Sequence, residues 1–195
     1  MKWSWHFRLA TLWTEANMEE SFVFSGFGGQ GVILAGKILA QAGTDYGLQV
    51  TWLPSYGPEM RGGTANCTVI LSDEPIASPV VDNPTALIAM NLPSLDRFEK
   101  TVAKGGMMLI NSSLIARLPE RNDVRIFSVP ANAIALSLGN PQTANMVALG
   151  AIIKATGIIS LEPIKSAMAR ILSQKGSGEL IVLNEQALDA GYNAV

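Results

Sequence analysis

Between Ser21 and Gly36 the chain reads SFVFSGFGGQGVILAG. Phe22 to Phe24 are apolar, as in a short buried strand. Gly26, Phe27, Gly28, Gly29, Gln30 and Gly31 then break the pattern, and helical periodicity takes over from Val32 to about Tyr46. The order is strand, glycine loop, helix. Gly26, Gly28 and Gly31 match G-x-G-x-x-G, a spacing that permits a tight turn and a close backbone approach to an anion resting on the free N–H groups of a helix start. Two readings of the motif stand: a phosphate or diphosphate seated on those amides, or close helix–strand packing with nothing bound.

The residues after this unit argue against a nicotinamide cofactor. Gln49 to Leu53 reads as the second strand, where a dinucleotide site wants an acidic side chain for the ribose hydroxyls. The sequence offers Thr51, Trp52, Leu53 and Pro54 instead. The next stretch, Pro54 to Gly63 (PSYGPEMRGG), holds two prolines and three glycines in ten positions and is expected to be a loop. Its Tyr56, Glu59, Arg61, Gly62 and Gly63 form either a functional loop on a rigid scaffold or a plain solvated surface loop. Thr64 to Leu71 alternates as a strand, with Cys67 expected to be a small buried hydrophobe.

Strand and helix patterns continue to alternate. Strands are expected at Thr85–Met90, Met107–Asn111 and Val124–Val129. Helices are expected at Ser94–Val102, Pro130–Leu138, Thr143–Thr156, Glu162–Gln174 and Glu179–Tyr192, the last of these placed against a neighbouring subunit. Asn145, at a helix start, serves the helix N–H groups or a ligand. Lys165 and Arg170 fall on a face expected to be solvated. The fold class that follows is α/β: a doubly wound, mostly parallel sheet flanked by helices, Rossmann-like, in a single domain over residues 18–195 with parallel pairing and right-handed crossovers.

Composition narrows the function classes. Of 195 residues, 48% are hydrophobic and only 15% charged, so a weakly charged surface is expected to pack on partner subunits, with a homodimer expected for the isolated chain. A net charge of -2 without a basic patch argues against nucleic acid. A single cysteine excludes an intrachain disulfide and an iron–sulfur cluster within this sequence, and fits a cytoplasmic location. No apolar run is long enough to cross a membrane. Residues 1–17 are an N-terminal extension: an amphipathic helix through Trp5, Leu9, Leu12 and Ala16, or a segment upstream of a start at Met18. His6, the only histidine, lies there, so no catalytic histidine and no metal site are expected.

Several motifs together, GFGGQGV, PSYGPEMRGG with Cys67 four residues on, IASPVV, LIAMN at Leu87 to Asn91 and GGMMLINSSLI at Gly105 to Ile115, resemble the gamma subunit of the 2-oxoacid:ferredoxin oxidoreductases, in the family's order, from about Ser21 to about Gly178. Met90 and Asn91, followed by Pro93 and a helix through Phe98, look most like the 2-oxoglutarate-specific enzymes; those acting on pyruvate, branched-chain 2-oxoacids or indolepyruvate stay open. The resemblance implies an enzyme of anaerobic metabolism that decarboxylates a 2-oxoacid on thiamine diphosphate, passes electrons through [4Fe–4S] clusters to ferredoxin or flavodoxin, and hands the acyl group to coenzyme A (CoA). This chain has no GDG-type segment for Mg2+ and the thiamine diphosphate, so alpha and beta partners, with a ferredoxin-like delta subunit, are expected to carry those groups.

For this gamma-type domain a share in covering the thiamine site and in binding CoA is expected, with no catalytic residue of its own. The expected contacts are Gly26, Gly28, Gly29, Gln30 and Gly31, helped by Ser25, and then Asn111, Ser112 and Ser113 after a later strand. Tyr56, Glu59, Arg61, Gly62 and Gly63 are expected at the active-site entrance or the subunit interface, where Arg61 pairs with a phosphate or a partner's carboxylate. A purely scaffolding subunit is the alternative.

Overall fold

A computed structural model describes residues 18–57, 63–174 and 178–195. The extension 1–17, with its expected helix, and the loop residues Glu59, Arg61 and Gly62 lie outside the described residues. Six strands, β1 (Glu19–Phe27), β2 (Gln49–Tyr56), β3 (Thr64–Ser72), β4 (Ala86–Ala89), β5 (Met107–Asn111) and β6 (Arg125–Val129), form one sheet in the order β2-β3-β1-β4-β5-β6. The helices are α1 (Val32–Asp45), α2 (Leu92–Phe98), α3 (Ala131–Ser137), α4 (Ala144–Thr156), α5 (Leu161–Ser173) and α6 (Gly178–Tyr192). The α/β class read from the alternating pattern is the one observed.

Pairing departs from the expectation at one place. β1, β4, β5 and β6 pair in parallel, but β3 is antiparallel to both β1 and β2. β2 and β3 are consecutive in the chain and neighbours in the sheet, so β3 returns antiparallel beside β2. β2 also runs on through Pro54, Ser55 and Tyr56, which the proline content had assigned to a loop. An edge strand is bonded on one side only, so Pro54 can sit in it with no ladder bond lost on the open side. β1 is longer than expected as well, and Gly26 and Phe27 are strand residues paired with Ala65 and Thr64.

The sheet divides two apolar layers. Phe22 and Phe24 point to one face, where Cys67, Val69 and Leu71 of β3 join buried residues of α1, α4, α5 and α6. Val23 points to the other, with Leu87, Ala89, Met108 and Ile110 beneath Leu95 of α2. β4 and β5 are buried along their whole length, as continuous apolar runs in a covered parallel sheet should be. The expected helix from Ser94 begins earlier, at Leu92, because the Asn91 side chain accepts from the Ser94 N–H (3.0 Å) and caps it.

The last helices are tied to their own chain. α6 packs on α4 so closely that a Cβ at Gly191 would stand 1.9 Å from the Val147 carbonyl. Lys165 and Arg170 are likewise not idle on a solvated face. Lys165 reaches Asp189 of α6 at 2.6 Å, and that contact raises its pKa; Arg170 pairs with Asp45 at the end of α1. Among the described residues no helix is long and apolar enough to cross a membrane.

Candidate functional site

The strand order reverses between β1 and β4: the chain leaves β1 through α1 for the β2 edge, then returns through β3 to β4 on the other side. Ligands of open α/β sheets collect in the crevice outside the carboxyl ends at such a point. Here that crevice is largely filled by carboxamides. Gln30 Oε1 accepts from the Phe27 N–H (2.7 Å) and from Asn91 Nδ2 (2.9 Å), while its Nε2 donates to the Met90 carbonyl (3.4 Å). Only a pocket of ≈ 200 Å³ is left, bounded by Gly29, Gln30, Met90, Asn132 and Gln142.

Two of the three motif glycines serve this packing. A Cβ at Gly26 would lie 2.7 Å from Gln30 Oε1, and one at Gly31 would lie 2.3 Å from Asn145 Nδ2. Gly31 also caps α1 with φ 73°, and no side chain caps that helix. Asn145 uses both ends of its amide: Nδ2 donates to the Gly31 carbonyl (3.1 Å) and Oδ1 accepts from the Met146 N–H (3.0 Å). Gly29 differs, since at φ 100° its missing Cβ faces open space.

On the other flank of the loop, between the first turns of α1 and the start of β3, lies a cleft of ≈ 420 Å³. Phe27, Ile33, Leu34 and Tyr56 give it apolar walls, and Gly63 and Thr64 close its far side. The Gly28 N–H bonds the Gly63 carbonyl at 2.9 Å and ties the loop to that wall. Lys37 is the only charged group lining the cleft among the described residues, and it makes no ion pair with any of them. Beneath α1, Cys67 is fully buried as expected, its Sγ donating to the Val32 carbonyl at 3.5 Å; burial pushes its pKa up to about 12.

The predicted residues therefore separate. Gly28, Gly29, Gly31, Tyr56 and Gly63 meet at the cleft. Gln30 turns to the crevice. Ser25 is buried, its hydroxyl bonded to that of Ser94 at 2.9 Å. Asn111 is fully buried and uses every part of its amide. Its Oδ1 accepts from the Ala131 and Ser113 N–H groups, and its Nδ2 donates to Asn132 and the Met90 carbonyl. The Ser112 N–H bonds the Val129 carbonyl and the Ser113 hydroxyl accepts from the Ala133 N–H, so this strand end braces the start of α3 rather than reaching the cleft. Sequence reasoning missed Lys37. Its signal is that it is the only charge between Glu20 and Asp45.

Residues 21–194 match the model of the pyruvate ferredoxin/flavodoxin oxidoreductase family. The chain belongs to that family. It is 41% identical over 167 residues to the ketoisovalerate oxidoreductase subunit VorA of Methanothermobacter thermautotrophicus, covering 86% of this chain but 34% of that one. It therefore spans about a third of the length of such a relative. With the 2-oxoglutarate synthase subunit KorC of Methanocaldococcus jannaschii it shares 37% identity over 179 residues, 90% of this chain and 93% of that one. Among solved structures, the gamma subunit of keto/oxoacid ferredoxin oxidoreductase from Geobacter sulfurreducens superposes with a TM-score of 0.75 at 34% identity, covering 90% of this chain and 97% of that chain. The family and fold expected from the motifs are those found.

Proposed function

We propose that this chain is the gamma subunit of a 2-oxoacid:ferredoxin oxidoreductase, that it borders the thiamine site completed by alpha and beta partners, and that it binds CoA in the cleft beside the glycine loop. The observation that carries the reading is the composition of that cleft. The uncapped start of α1 suits a diphosphate, because free N–H groups and the helix dipole both favour an anion. Lys37 stands six residues further on, ~9 Å along the axis, and suits a second phosphate. Phe27, Leu34 and Tyr56 offer apolar surface to the remainder of the ligand. CoA, when bound, accepts the acyl group; thiamine diphosphate, Mg2+ and the clusters belong to the partners, with ferredoxin or flavodoxin as acceptor.

The substrate proposed is 2-oxoglutarate, on Met90, Asn91 and Pro93 and the similarity to KorC. The similarity to VorA makes a branched-chain 2-oxoacid the comparison to run beside it. The test is dye reduction by the anaerobically purified complex with 2-oxoglutarate, pyruvate, 2-ketoisovalerate and indolepyruvate, each over a range of CoA. Fastest turnover on 2-oxoglutarate supports the assignment, and a preference for another acid overturns it. A scaffolding subunit is the second reading, favoured by the use of Gly26 and Gly31 for internal packing. On that view Lys37→Glu leaves the KM for CoA unchanged, whereas CoA binding in the cleft requires it to rise.

A further inference from the structure

Gln30 sits where two carboxyl-end segments meet: the glycine loop after β1 and the Met90–Asn91 segment after β4, whose Asn91 caps the start of α2. The orientation of its carboxamide is dictated by its neighbours. The Phe27 N–H can only donate, and Asn91 spends its Oδ1 on the Ser94 N–H, so its Nδ2 faces Gln30. Gln30 must therefore present Oε1 to both donors, which leaves Nε2 for the Met90 carbonyl. Phe27 is at once a partner of this amide and part of the cleft wall.

We propose that Gln30 is a positioning residue for the ligand site, its carboxamide filling the β1–β4 crevice and fixing the glycine loop so that the ligand is held on the β3 side of α1. This rests on the reading of the cleft as a CoA site. The crevice where such sheets ordinarily take a ligand is occupied by the side chain. The same side chain pins the Phe27 backbone, from which the loop swings towards Gly63. Without Oε1, the Phe27 N–H and the Asn91 amide lose their acceptor, and the loop is free to trade its geometry for water contacts. A ligand held on loop amides then pays for ordering them at each binding event.

The test uses the complete complex, reconstituted with Gln30→Met, which keeps length and removes both acceptor bonds, with Gln30→Glu, which keeps the acceptors but cannot donate to Met90, and with Lys37→Glu. Steady-state kinetics over CoA are read beside the unfolding midpoint. Each assembled Gln30 variant is expected to raise the KM for CoA, by about tenfold for Gln30→Met, about the net worth of one neutral hydrogen bond. The kcat at saturating CoA is expected to stay within about twofold, since the chemistry lies on the partners. Loss of stability alone, or a fall in kcat at constant KM, in an assembled variant overturns the proposal. If Lys37→Glu raises the KM and the Gln30 variants do not, Gln30 has no positioning role while the cleft reading survives. If none of the three moves the KM, the cleft reading falls, and the proposal with it.

Discussion

The two flanks of the first turn of α1 are made of different materials. Towards β4 the packing is polar and complete: Gln30, Asn91, Asn111, Asn132 and Asn145 pair with one another and with backbone groups of three loops. Towards β3 the contacts are backbone bonds and apolar side chains, and the one charge, Lys37, has no partner among the described residues. A glycine loop that looks uniform in sequence thus has one side fixed by hydrogen bonds and one side left open. Satisfied buried amides specify a geometry because each lost partner leaves a costly orphan. An apolar cleft whose cation is unpaired among the described residues leaves its interactions for something else to complete.

The largest effect is expected on the β3 side at Cys67, fully buried beneath α1. The Cys67 thiol ionises near 9.0 when solvated and is held up to about 12 by burial. A raised folded pKa means a contribution that is complete below pH 9 and lost as pH rises towards 12, because only the unfolded chain releases the proton there. At ~1.4 kcal/mol per pH unit the loss is at most ~4 kcal/mol. Urea unfolding of wild type and Cys67→Ala at pH 8 and pH 11 should show the wild type losing more. Equal losses would mean that water reaches the thiol.

On the closed flank, Asn111→Leu should cost ~3 kcal/mol in urea midpoint analysis, since it strands the Ala131 N–H in a buried site and removes the partner of the part-buried Ser113 N–H and Asn132 side chain. A loss under ~1 kcal/mol would show that the network is not the brace its geometry describes. The glycines then separate the flanks directly. Gly31→Ala meets both a positive φ and the Asn145 amide and should cost ~2 kcal/mol, while Gly29→Ala meets only backbone strain and should cost ~1 kcal/mol. Thermal denaturation of the two variants gives the comparison, and a reversed order would contradict the division.

Much of this architecture is legible in the residues. Strand, glycine loop and α1 follow from the switch from Phe22–Phe24 to glycine and then to helical spacing, and the buried β4 and β5 follow from unbroken apolar runs. The reversal of β3 is not legible, because local periodicity fixes a strand without fixing its direction. Pro54 misleads for a related reason: whether a proline breaks a strand depends on which edge is bonded. The roles of Gly26 and Gly31 are hidden in the same way, since the amides that fill their missing side-chain space come from Gln30, a neighbour, and from Asn145, more than a hundred residues away. Lys37 is hidden because the apolar spacing of α1 marks only the buried face of that helix.

The smallest stability effect belongs to Lys37, and it is the most informative about the open flank. An exposed lysine with no ion-pair partner among the described residues adds little to the fold, so Lys37→Ala should leave the unfolding free energy within ~0.5 kcal/mol of wild type. A larger loss would mean that Lys37 is engaged in holding the fold and is not held in reserve for a ligand. In the assembled complex the same variant should weaken CoA, and 3′-dephospho-CoA should be affected less if Lys37 meets the 3′-phosphate. A stability change near zero together with a selective loss for intact CoA would assign the cation to that phosphate. An equal loss for both would move Lys37 to the diphosphate, nearer the uncapped amides at the start of α1.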